Sequence, residues 1–259
     1  MSMISKSIRS KQTGITLVEI MVSLAVSMFI LSGVIGVFIG NKQSFRVQQN
    51  MAAIQENGRF ALDAITRSTR MAGFQGVDAG EWVLGPLTTA YGGVDALSGT
   101  DGAGTASDTI TLVYSAPDAN QVDCQGNYTT AGNLVYATYS IATTATTSDL
   151  QCSTAANGTG AVTLVEDIEN MQFLYGIDTD GDSVANKYDS ISGITAADDI
   201  VAIKIAMLAR SPDDNVALAT ESRTRTLLDV NVYTVGVNTA DDKRIRRDFT
   251  TTARLRNRL

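Results

Sequence analysis

The chain contains no histidine, and this absence removes whole classes of chemistry. Ser-His and Cys-His nucleophile pairs are excluded, as is every zinc site that uses a histidine ligand. The sequence also carries no phosphate-binding loop and no convincing pair of catalytic residues. We therefore predict that the protein is not an enzyme and requires no cofactor.

Basic residues are scarce in most of the chain. The net charge is −7, and residues 73–242 hold 23 acidic and 5 basic residues. Residues 243–259 reverse this balance, with 7 basic residues and 1 acidic residue. Because duplex binding depends on clustered Lys and Arg, the acidic body predicts no nucleic-acid partner. The basic C-terminal segment is a candidate for contact with an acidic surface, in the same chain or in a neighbour.

Cysteine is also rare, with Cys124 and Cys152 as the two instances. In an exported domain, two cysteines most simply form one disulfide bond. A reduced buried pair is the alternative.

Residues 15–40 form the longest apolar run, and Glu19 is its single charged residue. A run of more than about 18 apolar residues is long enough to cross a bilayer as a helix, and the apolar part of a secretory signal is shorter. A carboxylate inside such a span is costly and by default a functional candidate. Snorkelling of Glu19 to the membrane interface is the alternative interpretation.

The residues after this run continue the helix in a different form. In residues 41–72 small and apolar side chains recur every three or four positions, at Val47, Met51, Ile54, Gly58, Ala61, Ile65 and Ala72. This spacing predicts an amphipathic helix, and no proline interrupts it. We predict one helix over residues 15–72, ended by Gly73, with an apolar half (15–40) and an amphipathic half (41–72).

Beyond Gly73 the pattern changes to short β-type runs separated by polar loops. Five strands are predicted, at residues 109–115, 134–141, 172–177, 200–210 and 227–237, with loops at 95–108 and 142–160. No helical pattern alternates with these runs, so an antiparallel layout is favoured over a parallel sheet. The predicted fold class is therefore α+β: a long N-terminal helix packed on an antiparallel β-rich domain over residues 73–259.

A twelve-residue acidic stretch, DTDGDSVANKYD, has the ligand spacing of a Ca²⁺ loop. Oxygen-bearing side chains occupy positions 1, 3, 5, 9 and 12, at Asp178, Asp180, Asp182, Asn186 and Asp189. Ser183 stands where such loops need glycine, and Asp189 is shorter than the usual glutamate. The alternative to a possible Ca²⁺ site is a solvated acidic turn.

The N-terminus resembles the type IV prepilins. A short leader with Lys6, Arg9 and Lys11 ends in Gly14, and ITLVE then opens the apolar run. The resemblance implies that a prepilin peptidase removes residues 1–14 and methylates the amino group of Ile15. It further implies that Glu19 neutralises this amine on a neighbouring subunit during assembly.

Four segments of the body resemble the PilW-type minor pilins: residues 55–74, 165–182, 203–211 and 246–257. The resemblance implies a minor pilin of a type IV pilus, which primes or caps assembly with other minor pilins at the filament tip. It also implies a single-pass inner-membrane protein whose C-terminal domain lies in the periplasm before it joins the pilus. A J-type pseudopilin of type II secretion is the nearest alternative. A membrane-anchored exported enzyme or Ca²⁺-binding module is the alternative from another class.

Overall fold

The structure is a computed structural model, and the residues that it describes form six stretches. These are residues 14–74, 96–144, 147–195, 198–217, 224–233 and 243–257. The basic residues of the leader lie outside the described residues. By compactness the chain divides into two units, Met1–Arg46 and Val47–Leu259, and each is described by itself.

The predicted N-terminal helix is present as α1 (Leu17–Met71), with 55 residues. At its start the Thr16 hydroxyl accepts a hydrogen bond from the Glu19 N–H at 3.3 Å. This is the N-cap interaction that satisfies a backbone donor left open in the first turn of a helix. Gly73, at φ +74°, follows the last turn, in the left-handed conformation that commonly ends helices.

In the first unit, α1 exposes every described residue from Leu17 to Lys42. It is the one helix in the described part of the chain that is long and apolar enough to cross a membrane. Phe29 is 86% exposed and Phe38 is 67% exposed. Because water does not tolerate an apolar surface of this extent, the first unit needs lipid or other subunits around it.

In the second unit, α1 buries one face against the sheets. Ile54, Gly58, Ala61 and Ile65 are buried, as the spacing of apolar residues predicts. The same face also buries Asn50 and Thr69, which hydrophobic periodicity cannot identify because both are polar.

Eleven strands are described. They are β1 (Leu97–Thr100), β2 (Thr109–Ser115), β3 (Leu134–Thr143), β4 (Ser148–Ser153), β5 (Val162–Val165), β6 (Ile168–Asp178), β7 (Lys187–Asp189), β8 (Asp199–Arg210), β9 (Arg225–Leu227), β10 (Val230–Tyr233) and β11 (Arg246–Arg254). Within the described residues they form a five-stranded sheet in the order β1-β2-β3-β4-β5, a four-stranded sheet in the order β11-β8-β6-β7, and a β9–β10 hairpin. Every pairing is antiparallel, which confirms the predicted fold class.

Three sequence predictions about the strands are wrong in part. The predicted strand at 227–237 is instead a hairpin, because the chain turns at Leu228, where φ is +55°; residues 234–237 lie outside the described residues. The predicted loop at 142–160 contains β4, and the predicted loop at 95–108 contains β1. The sequences of β1 and β4 are polar and carry little strand signal. These two strands form because they pair with neighbouring strands.

One apolar core joins the helix to both sheets. It contains Ile54 and Ile65 of α1 with Leu112 and Tyr139 of the five-stranded sheet, and Ile203 of the four-stranded sheet. The Tyr139 hydroxyl lies 2.7 Å from the Ser68 hydroxyl of α1, so the most buried tyrosine of this sheet also bonds to the helix. Burial is the main cause that raises the pKa of Tyr139, to about 12.

The C-terminal segment holds the other end of the helix. The Asn257 amide nitrogen donates to the carbonyl oxygens of Arg70, Met71 and Ala72 at 3.1, 3.3 and 3.2 Å. Carbonyls at the end of a helix have no partner within it, and here the Asn257 side chain bonds to them; the Phe74 N–H also donates to the Met71 carbonyl, at 2.9 Å.

Candidate functional site

The predicted processing site lies just before α1. Gly14 is exposed, Ile15 is 72% exposed, and a Cβ added at Gly14 would meet no atom within 4 Å. Neither residue is held by packing in the isolated chain. A requirement for glycine at position 14 would therefore come from an enzyme that reads this position rather than from the fold.

Glu19 lies in the first turn of α1, two residues after the helix begins. Thr16 and Glu19 have the Thr-x-x-Glu spacing of a capping box, in which threonine caps the helix and glutamate occupies its third position. A carboxylate here is favoured by the positive end of the helix dipole. Sequence reasoning predicted a role for Glu19 between subunits, which stays a prediction, and the structure places the residue in the first turn of the helix.

The structure brings three of the five predicted Ca²⁺ ligands together. Carboxylate oxygens of Asp178, Asp180 and Asp182 all lie within 4.8 Å of one another. Asn186 reaches the same loop, since its amide nitrogen donates to Asp180 Oδ2 at 3.3 Å. Asp189 is not in this group. It lies on β7 opposite Tyr175, and its carboxylate pairs with Lys187 at 2.6 Å.

The separation of Asp189 follows from strand register. The loop connects β6 to β7, and the two strands pair from Ile177 and Lys187 inward to Tyr175 and Asp189. The twelfth residue therefore continues along a strand, away from the loop. An EF-hand places a helix here instead, and the helix returns the twelfth ligand to the ion.

Backbone hydrogen bonds fold the acidic loop. Asp178 accepts them from the N–H groups of Asp180, Gly181 and Ser183, at 3.1, 2.8 and 2.7 Å. Burial acts to raise the pKa of Asp178, but these bonds outweigh it and lower the pKa below its ordinary value. Arg254 also reaches the loop, with its guanidinium donating to the Ser183 carbonyl at 2.8 Å.

A partly buried charge cluster joins the basic C-terminal segment to the acidic body. Arg246, whose side chain is fully buried, donates two hydrogen bonds to the Glu169 carboxylate, at 2.7 and 2.9 Å. Arg210 Nε contacts Asp167 Oδ1 at 3.2 Å, and Arg244 lies 3.6 Å from the same oxygen. The basic segment was predicted to contact an acidic surface in the same chain or in a neighbour. In the structure, Arg244 and Arg246 contact acidic residues of the same chain.

Asn50 and Asp213 form a second polar link that sequence reasoning missed. The Asn50 amide nitrogen donates to Asp213 Oδ2, and the Asp213 N–H donates to Asn50 Oδ1, both at 3.1 Å. The pair ties the amphipathic half of α1 to the segment after β8. The signal in the sequence was weak: a lone asparagine on an otherwise small and apolar helical stripe.

The predicted disulfide is present between Cys124 and Cys152, with Cα atoms 6.2 Å apart. Cys152 is buried on β4, and Cys124 lies in the loop between β2 and β3. The Gln125 amide nitrogen adds hydrogen bonds to the carbonyls of Cys152 and Gly160, at 3.0 and 2.8 Å. The bridge therefore ties this loop to β4 of the five-stranded sheet.

Comparisons with known proteins find family matches in two regions of the chain. Residues 9–35 match the prokaryotic N-terminal methylation motif, and residues 138–257 match the family model of type IV pilus-assembly protein W. A search of curated proteins found no match. A solved structure of a type IV-like pilin from Thermus thermophilus is similar with a TM-score of 0.45 and 11% identity, over 78% of this chain and 97% of that one.

The two family matches cover the exposed start of α1 and the four-stranded sheet with its ion-paired arginines. The methylation motif covers the processing site, Glu19 and the apolar start of α1. The assembly-protein match runs from β3 to Asn257, and so includes β6, β8, β11 and the residue that caps the helix. With a methylation motif ahead of a pilus-assembly region, the two matches support a minor pilin of the type IV pilin-like class.

Proposed function

We propose that this minor pilin primes or caps the assembly of a type IV pilus, together with other minor pilins at the filament tip. The observation that carries the proposal concerns the helix α1. Its apolar half is exposed in the first unit, while its amphipathic half packs on the sheets of the second unit. A surface of this kind is stable in lipid before assembly and among other subunits after it. Nothing in the described residues points to a catalytic role, so we propose a structural one.

The proposed path begins in the inner membrane. The apolar half of α1 spans the bilayer, with the leader in the cytoplasm and the disulfide-bonded domain in the periplasm, where disulfides persist. The peptidase then cuts between Gly14 and Ile15 and methylates the new amine. In the assembled tip, Glu19 pairs with the amine of a neighbouring subunit, and the buried charge is neutralised.

The type of the matched region favours a pilus over a secretion machine. The family model is described as a type IV pilus-assembly protein, whereas a J-type pseudopilin would serve type II secretion. Loss of the gene is expected to reduce surface pili in the host while leaving type II secretion of enzymes unchanged. The opposite result would favour the pseudopilin.

Processing and location are tested together in cells that make pili. Intact-mass spectrometry of the mature protein should find a chain that starts at Ile15 and carries one added methyl group. Gly14→Ala should leave the precursor in the membrane, although the fold has room for the methyl group. Immunogold labelling should then place the wild-type protein at filament ends. A mature chain that keeps its leader, or label spread along the shaft, contradicts the proposal.

A further inference from the structure

The strand β11 forms one edge of the four-stranded sheet, and its pairing with β8 is regular. Nine consecutive residues pair with β8, from Arg246 opposite Arg210 to Arg254 opposite Ala202, with no irregularity. The neighbouring β6–β8 pairing, by contrast, has two register shifts. Bulges are a common way to prevent an edge strand from pairing with another chain, and β11 has none.

The hydrogen bonds at both ends of β11 define which backbone groups face outward. The Ser211 N–H donates to the Ile245 carbonyl, and the Leu255 N–H donates to the Val201 carbonyl, so odd-numbered residues bond to the β8 side. In an antiparallel pair the residues between them turn their N–H and C=O groups away from the partner strand. These outward-facing residues are Arg246, Asp248, Thr250, Thr252 and Arg254.

Among the described residues, nothing bonds to the outward-facing backbone of the edge from Thr250 onward. Arg246 is covered at the near end, where the Arg225 guanidinium donates to its carbonyl at 3.1 Å and also contacts the Asp248 carboxylate. Thr250, Thr252 and Arg254 are exposed. No hydrogen bond of the described residues reaches the outward backbone groups of these three. They present alternate N–H and C=O groups spaced about 6.8 Å apart, the repeat that an added strand requires.

We infer that this edge receives an extended, acidic segment of another pilus subunit by β-strand addition. The charge of the edge selects the partner. Arg247 and Arg256 are exposed, and the exposed Arg254 bonds to a neutral group, the Ser183 carbonyl, while the nearby Asp248 is already paired with Arg225. A second copy of β11 fits less well, because its single acidic residue, Asp248, is already paired with Arg225. The identity of the partner rests on the proposed function, whereas the geometry of the edge does not.

Amide exchange on the full-length protein in detergent tests the geometry without any partner. The amides of Thr250 and Thr252 are expected to exchange rapidly, while the amides of Thr251 and Ala253, which bond to β8, exchange slowly. Slow exchange at Thr250 and Thr252 would mean that the chain covers its own edge, and would overturn the inference.

Proline variants test the partner in piliated cells. Thr252→Pro removes an outward N–H that β8 does not use, so the variant should fold, form its disulfide and reach the membrane at the wild-type level. Its incorporation into pili should fall about tenfold, because the added strand loses a ladder hydrogen bond and meets the proline ring. Thr251→Pro is the matched control that removes a bond to β8, and its protein level should fall.

A photo-crosslinking residue at position 252 identifies the occupant. An adduct with another pilus subunit is expected, and the Arg247→Glu change should weaken it. Adducts with a second copy alone, or normal incorporation of Thr252→Pro, would overturn the inference. If the wild-type protein itself is absent from pili, the proposed function fails instead, and the exchange experiment still decides whether the edge is open.

Discussion

The proposed role of Glu19 between subunits can be separated by substitution from a contribution to the start of the helix. Glu19→Gln keeps a side chain that can serve a capping box but removes its charge, whereas Thr16→Ala removes the cap and keeps the carboxylate. We expect Glu19→Gln to be inserted and processed normally but to be lost from pili, because no charge remains to pair with a neighbouring amine. Thr16→Ala should assemble nearly as the wild type does. Equal loss in both variants would show that Glu19 acts through the helix start alone.

Asp108 is a carboxyl group whose ionisation opposes folding. Burial raises its pKa, hydrogen bonds from the N–H groups of Gly102 and Phe173 (both 2.8 Å) act against this, and the charges of Asp101 and Asp229 add to the rise. A group whose pKa is higher in the folded state contributes stability below its unfolded pKa and loses that contribution as pH rises through the folded value.

Asp108→Asn should therefore change the pH dependence of stability. The unfolding free energy of the wild type minus that of the variant should fall as pH rises from the ordinary value of 3.8 through the raised pKa. Urea unfolding in detergent over pH 3–7 measures this difference. A difference that is constant with pH, or that rises, would contradict the assignment.

At the scale of elements, Gly58 sets the distance between α1 and β11. A Cβ at this position would lie on the ring of Phe249, 2.7 Å from its Cζ. Gly58→Ala should lower the free energy of unfolding by about 1–2 kcal/mol, since overpacking outweighs the gain in helix propensity. Gly33→Ala, where a Cβ meets nothing within 4 Å, is the control and should not destabilise the domain. Rescue of Gly58→Ala by Phe249→Leu would attribute the loss to this contact.

Calcium binding by the β6–β7 loop stays a prediction, and the structure changes how it should be tested. If the loop binds Ca²⁺, millimolar concentrations should raise the melting temperature of the full-length protein in detergent. Asp180→Asn should abolish this shift, because Asp180 belongs to the clustered carboxylates. Asp189→Asn should keep it, since Asp189 lies on β7. Absence of binding heat at several millimolar Ca²⁺ would leave an acidic turn held by the hydrogen bonds to Asp178.

At the scale of the whole molecule, the disulfide joins segments 28 residues apart in the sequence. The chain-entropy model assigns such a bridge roughly 3–4 kcal/mol. Cys124→Ser should remove most of this stability while it leaves the buried Cys152 in place. Non-reducing peptide mapping of exported wild-type protein should find the linked pair. Free thiols at both positions would also argue against a periplasmic domain.

Strands can be predicted from the sequence where their residues are apolar, and less well where they form mainly by pairing with neighbouring strands. Residues 109–115 and 200–210 were found within one residue of β2 and β8, because their burial leaves an apolar pattern in the sequence. The short β7 and the polar β11 lie at sheet edges. Such strands face solvent on one side, so their sequences carry little of the apolar signal.

The sequence by itself determined the long helix, the antiparallel class of the body and the processing motif, because each depends on residues close together in the chain. Only the tertiary structure decided which distant residues meet. Arg246 binds Glu169 across 77 positions, and Asn257 caps a helix that ends 186 positions earlier. Asp189 is a further example. The twelve-residue spacing predicted that its carboxylate joins the acidic loop, but the pairing of β7 with β6 determines where the carboxylate lies.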